Sequence, residues 1–205
     1  MNTRDPSAVS RGRRQFLLLA ALFFVPLAIA FWLYYGPGGW RPDGGTNQGD
    51  LVDPARPLPH VDLPLAGGSP VVADVFRGKW TILYVGDGAC DARCRKALHL
   101  TRQSRIALNK DADRVRRVFL VTGNCCDHDF VEREHPDLIV ALLGGKDSAR
   151  LIARFPVYGD GLVGHAGRIY LVDPLGNLMM SYAATAPDKA LLTDLRRLLR
   201  LSHIG

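Results

Sequence analysis

Two cysteines four residues apart, Cys90 and Cys94, stand in GDGACDARCRKAL at residues 86–98, where an apolar run gives way to a helical pattern. Thiols at this spacing rise on one face of a helix, so the pair can close a disulfide or grip one soft metal ion. Buried cysteines also serve as small apolar packing groups, which is the alternative use of these two. If a helix starts near Asp91, Cys90 meets free N–H groups and the positive end of the helix dipole, which favour thiolate over thiol. Arg93 and Arg95 add positive charge to the same place.

A second cluster follows at Cys125, Cys126, Asp127, His128 and Asp129. A disulfide between adjacent residues is strained and easily reduced, and spacing alone supplies no partner for either thiol. The cluster could exchange disulfides with Cys94 or hold a second metal, but with no partner demonstrable from spacing it is read as a surface loop with incidental thiols. Among the six histidines, His165 lies in GLVGHAGRIYLVDPLGN, just before a strand pattern that can hold its imidazole near the end of a sheet. A lone histidine in a loop is ordinarily a solvated polar residue; the alternative is metal ligation, for which imidazole is the commonest side chain. His60, His99, His135 and His203 are read as surface groups and Trp80 as core.

These residues need elements to hold them. WTILYVG at 80–86 is a short β-branched and aromatic run, the pattern of a buried central strand. Ala97, Leu98, Thr101, Ile106 and Leu108 give a helical stripe over 92–109. A second buried strand runs from 115 to 122 and ends at Gly123 and Asn124, before a weakly helical region that stops near Phe155 and Pro156. The period then becomes two: strands at 168–172 and 177–182 are joined by Asp173, Pro174, Leu175 and Gly176, a turn with Pro and Gly at suitable positions. A closing helix over 187–201 carries Leu191, Leu192, Leu195, Leu198 and Leu199 on one face. Strand, helix, strand, helix, hairpin, helix is the element order of an α/β thioredoxin-like fold, a mixed sheet flanked by helices. Cys90 falls beyond the carboxyl end of the first parallel strand, where such sheets collect reactive groups, and Cys125 beyond the second on the same edge.

The 205-residue chain is 47% hydrophobic and 22% charged, a globular composition, but its apolar residues are unevenly spread. FLLLAALFFVPLAIAFWLYY at 16–35 carries no charge and is long enough to span a bilayer, where Pro26 is tolerated. The tail at 1–15 carries Arg4, Arg11, Arg13 and Arg14 against Asp5, a net charge of +3 out of +6 for the chain. The positive-inside rule puts this basic tail in the cytoplasm and everything after residue 35 outside, with a single pass. Ala28, Ile29 and Ala30 could form a cleavage site, and Arg13 and Arg14 an export signal. Trp32, Tyr34 and Tyr35 instead suit an interfacial belt behind a retained anchor. Residues 36–57, rich in Gly and Pro, are expected to be a linker in which Trp40 meets the interface and Leu51 and Val52 pack on the domain at 58–205. No basic stripe argues for nucleic acid.

The combination of GKWTILYVGDGAC, a second cysteine at C-x3-C, and a histidine five residues before the tyrosine of IYLVDPLGN resembles the Sco/SenC family. Those are membrane-anchored, thioredoxin-fold proteins that bind copper and help assemble the copper centre of cytochrome c oxidase. The resemblance spans roughly residue 58 to the C-terminus. It implies copper ligation by Cys90, Cys94 and His165, cytochrome c oxidase subunit II or another oxidase assembly factor as partner, and a bacterial inner membrane anchor with a periplasmic domain. Two thiolates and an imidazole suit Cu(I), and Cu(II) would need an oxygen or other further donor. Asp91 and Arg95 stand where the family usually has prolines, making the loop less constrained and more charged. Gly161, Leu162, Val163 and Gly164 stand where an aspartate often occurs. Three functions follow: a copper chaperone, which is not an enzyme; a thiol–disulfide oxidoreductase in which Cys90 attacks and Cys94 resolves; and a non-metal assembly factor.

Overall fold

The computed structural model describes residues 6–36, 45–68, 72–123, 125–144, 147–159, 161 and 163–205. Arg4, Asp5, Trp40, Asn124 and Leu162, named above, lie outside these. The chain divides into two compact units, residues 1–46 and 47–205. Among its described residues the first contains one helix, α1 (Pro6–Tyr35), whose segment Gly12–Tyr35 is long and apolar enough to cross a membrane once. From residue 12 its side chains are almost all exposed, as lipid-facing residues are when protein alone is present.

The second unit contains β1 (Asp50–Pro57), β2 (Asp62–Leu63), β3 (Val72–Ala73), β4 (Trp80–Gly86), α2 (Ala92–Ile106), β5 (Val115–Val121), α3 (His128–Glu134), β6 (Leu138–Leu142), α4 (Ser148–Ile152), β7 (Arg168–Val172), β8 (Asn177–Ala183) and α5 (Ala190–Leu201). Six strands make one sheet in the order β1-β8-β7-β4-β5-β6. β4, β5 and β6 are parallel, whereas β7, β8 and β1 join antiparallel on the other side. This is the expected thioredoxin-like mixed sheet.

β4 lies at the centre and is buried along its whole length because both faces are covered. Alternation along the strand sends Trp80, Ile82 and Tyr84 into one core with α2 and α5, and Leu83 and Val85 into the other core with Phe76, Leu151 and Phe155. Trp80 is core, as expected; Leu191, Leu195 and Leu199 of α5 are buried in the same core, Leu192 and Leu198 pack against it, and Leu201 is exposed. In the hairpin turn, Gly176 takes a positive φ while the Asp173 carboxylate accepts from the N–H groups of Leu175 and Asn177.

Three expectations are corrected. Part of the expected linker at 36–57 is strand β1, paired with β8. Its two prolines argue against a central strand but are compatible with a sheet edge, and the pairing slips between Leu51 and Arg56. Val52 is buried, whereas Leu51 is exposed. β6 occupies part of the region expected to be helical, because a short apolar run such as LIVAL does not itself distinguish helix from strand. The helix expected over 92–109 stops at Ile106 and a 3-10 turn follows at Asn109–Arg114, leaving Ile106 exposed.

Candidate functional site at the carboxyl end of β4

The chain leaves β4 at Gly86 and reaches Cys90 through a tight loop. The Asp87 carboxylate accepts from the Ala89 N–H at 2.8 Å, and the Asp87 carbonyl accepts from the Cys90 N–H at 3.2 Å. Cys90 then adopts φ +47°, a left-handed conformation that costs a non-glycine residue roughly 1–2 kcal/mol. That turn reverses the chain into α2. Asp91 caps the helix, its carboxylate accepting from the Cys94 N–H at 2.9 Å, so Cys94 sits in the first turn.

Cys90 and Cys94 are both buried, with their Cα atoms 5.0 Å apart, and their sulfurs are bonded to each other. They share a cleft of about 490 Å³ with His165, Tyr84, Asp87, Asp91 and Arg93. Thus all three residues singled out in the sequence line one cleft. Among the described residues, no group of three or more His, Cys, Asp or Glu side chains is gathered as a metal cluster. Burial, and secondarily the Asp91 carboxylate, push the Tyr84 phenol up to about 12, so it is a neutral hydroxyl at the floor of the cleft.

His165 is exposed and arrives on the loop before β7. Two glycines permit this approach. A Cβ on Gly164 would lie 2.5 Å from the Thr122 hydroxyl, just past the end of β5, and Gly167 combines φ +57° with close contact to the Arg93 side chain.

The residues in place of prolines have visible work. Besides the Asp91 cap, the Arg95 guanidinium donates to the Cys90 carbonyl at 3.3 Å and to the Asp127 carboxylate at 2.9 Å, and lies 4.2 Å from the centre of the Phe130 ring. Asp127 caps α3 by accepting from the Phe130 N–H. That bond, with the Arg95 contact second among the favourable causes, holds its carboxyl below the usual range.

Cys125 and Cys126 are bonded to each other; Cys125 is exposed, and Cys126 is half-buried against the core that contains Cys90 and Cys94. His60, His99 and His203 are exposed as expected, but His135 is 2% exposed and is a core group. Its Nδ1 accepts from Arg117, itself completely buried and bonded to Asp137, Thr101 and the Leu98 carbonyl. Arg117 gave no sequence signal beyond a cation in an apolar run.

The family described as transmembrane-like, thioredoxin-like, C-terminal domain matches residues 80–202, and its companion, the transmembrane-like N-terminal domain, matches residues 6–37. The chain belongs to the transmembrane-like, thioredoxin-like family. No curated protein matches it. Among solved structures, this transmembrane-like, thioredoxin-like protein is similar to copper-bound ScoI of Bradyrhizobium japonicum, with 22% identity, 68% of this chain and 97% of that one covered, and a TM-score of 0.52. It is similar to copper-bound yeast Sco1, with 17% identity, coverage of 73% and 91%, and a TM-score of 0.59. The thioredoxin domain of a thiol-disulfide oxidoreductase from Bacteroides vulgatus is another neighbour, with 18% identity, coverage of 70% and 95%, and a TM-score of 0.51. The expected likeness to Sco proteins is borne out, and at these identities it is a likeness of fold.

Proposed function

We propose that this protein is a membrane-tethered copper chaperone whose cargo is held by Cys90, Cys94 and His165. The observation that carries the reading is the convergence of these three residues, from β4–α2 and from the loop before β7, on one cleft. The donors suit the cargo: after the Cys90–Cys94 bond is reduced, two thiolates and an imidazole form a soft set favouring Cu(I). The N-terminus of α2 stabilises the thiolates, and Tyr84 stays protonated beside them. Thiolates must lose protons to bind, so affinity falls as pH drops. Structural neighbours titled as copper-bound Sco proteins support the reading.

In this proposal the domain faces the periplasm, with α1 in a bacterial inner membrane and the basic tail inside. The recipient is the copper site of cytochrome c oxidase subunit II, or an assembly factor serving it. Tethering confines the search to the membrane plane and raises the effective concentration near a membrane-bound recipient. The test is a competitive Cu(I) titration of the reduced full chain and His165→Ala. One tightly held copper, weakened by loss of His165, is expected; no retained copper, or retention unaffected by the variant, overturns the three-ligand site.

A second reading, a thiol–disulfide reductant, is favoured by the bond already joining Cys90 to Cys94. There Cys90 attacks a substrate disulfide and Cys94 resolves the mixed disulfide. His165→Ala then leaves disulfide exchange intact.

A further inference from the structure

The second cysteine pair lies just past the end of β5, the parallel neighbour of β4. β4 and β5 run parallel with Gly86 opposite Val121, and the Thr122 N–H donates to the Gly86 carbonyl, so the two strands end together. Cys90 follows Gly86 by four residues, and Cys125 follows Val121 by four. The inner pair is thus flanked by His165 on the β7 side and by Cys125 and Cys126 on the β5 side. One guanidinium, that of Arg95, binds the backbone at Cys90 and the side chain of Asp127, next to Cys126. Burial is graded: Cys125 is exposed, Cys126 is half-buried against the inner core, and Cys90 and Cys94 are 3% exposed.

We propose that Cys125 and Cys126 form an outer redox pair that relays electrons from an external dithiol to the buried Cys90–Cys94 disulfide. This rests on reduction of the Cys90–Cys94 bond being required for function, as both readings above have it. The external dithiol first reduces the Cys125–Cys126 bond and becomes a disulfide itself. The Cys126 thiolate then attacks one sulfur of the inner bond, which breaks and releases the other inner sulfur as a thiolate. Next the Cys125 thiolate attacks Cys126 in the mixed disulfide, re-forms the outer bond and releases the second inner thiolate. Two electrons have moved inward, and the protons left by Cys125 and Cys126 are matched by those the inner thiolates can take up. A second external dithiol reduces the exposed outer bond again and draws the exchange forward.

The experiment uses the full chain in detergent. The fully oxidised protein is mixed with dithiothreitol, quenched by acid and alkylation over time, and each bond is followed by peptide mass spectrometry. The expected result is that Cys125→Ser combined with Cys126→Ser slows reduction of the Cys90–Cys94 bond by about tenfold or more. Two trapping variants, Cys90→Ser with Cys125→Ser and Cys94→Ser with Cys125→Ser, show which inner sulfur is attacked, because one should accumulate a disulfide from Cys126 to the remaining inner cysteine. An unchanged reduction rate together with no crosslink in either trap overturns the relay. Copper binding by the chemically reduced outer-pair variant is read separately, so failure of the relay and failure of the copper site are distinguishable.

Discussion

Asp91 offers the sharpest test of how the site is built. Its carboxylate does two things: it accepts the Cys94 N–H at 2.9 Å as the cap of α2, and it adds a negative charge to the lining of the cleft that Cys90 and Cys94 share. Asp91→Ala removes both, whereas Asp91→Asn keeps an acceptor oxygen and removes only the charge. The cap is mostly exposed, at 65% for the side chain, so a typical loss of about 1 kcal/mol applies to the alanine variant and much less to asparagine. For a unit of this size that is about 3 °C in Tm. Asp91→Pro tests a further point. Proline accepts the φ of −61° observed at residue 91, but it favours extended backbone at the residue before it, and Cys90 has φ +47°. The proline variant must therefore lose more than alanine, by about 1–3 kcal/mol, or move Cys90. The assay is thermal unfolding of the reduced full chain, where no bond between the cysteines restrains the first turn of α2. Equal losses in Asn and Ala would show that the hydrogen bond is not what stabilises the turn. A proline variant as stable as alanine, with the Cys90–Cys94 bond forming normally, would refute the role given to the Cys90 backbone.

Other predictions follow from the core and the His165 loop. Asp137→Ala should cost about 3 kcal/mol in denaturant unfolding because it strips the buried Arg117 of its carboxylate partner, and Arg117→Met should also destabilise because it leaves Asp137 and the buried His135 Nδ1 without their donor. Burial, and then the neighbouring Arg117 charge, depress His135 to about 4 from the ordinary 6.5. The unfolded chain therefore binds a proton between those values that the folded chain does not, and stability falls on acidification through that window by at most about 3 kcal/mol; denaturant midpoints measured against pH should lose part of this slope in His135→Gln. Gly164→Ala should displace the His165 loop from Thr122, weakening Cu(I) retention about tenfold in competition titrations while leaving reduction of the Cys90–Cys94 bond unchanged.

What the sequence disclosed follows from what each residue must satisfy locally. β4, β5, the β7–β8 hairpin and α5 each combine a clear period with turn residues at their ends, so their types were legible, as was the position of Cys90 past a strand end. β1 was hidden because its prolines and charges describe an edge, and edges satisfy fewer of the constraints that mark a strand. His135 and Arg117 were misplaced or missed for another reason: a buried polar group is made acceptable by partners distant in sequence, here Asp137, Thr101 and the Leu98 carbonyl. The meaning of Asp91 and Arg95 was similarly hidden. As substitutions for proline they suggested a looser loop, but the structure gives each a partner, Asp91 the Cys94 N–H and Arg95 the Cys90 carbonyl and Asp127.

The two readings of the site compete for the same atoms, and that competition can be put in numbers. Copper needs both sulfurs as thiolates, and the Cys90–Cys94 bond removes both at once. Only the reduced fraction of the protein can bind, so apparent affinity is the intrinsic value scaled by that fraction: with about one molecule in ten reduced, retention weakens about tenfold with no change in the ligands. Loss of His165 acts differently, since His165 comes from a separate loop and takes no part in the sulfur–sulfur bond. On the chaperone reading, His165→Ala therefore shifts copper affinity by the same factor at every redox poise and leaves the midpoint of the cysteine pair measured without metal where it was. If instead the variant moved that midpoint, the histidine would be taking part in the thiol chemistry, against both readings: the chaperone reading gives it to the metal alone, and the reductant reading leaves it dispensable.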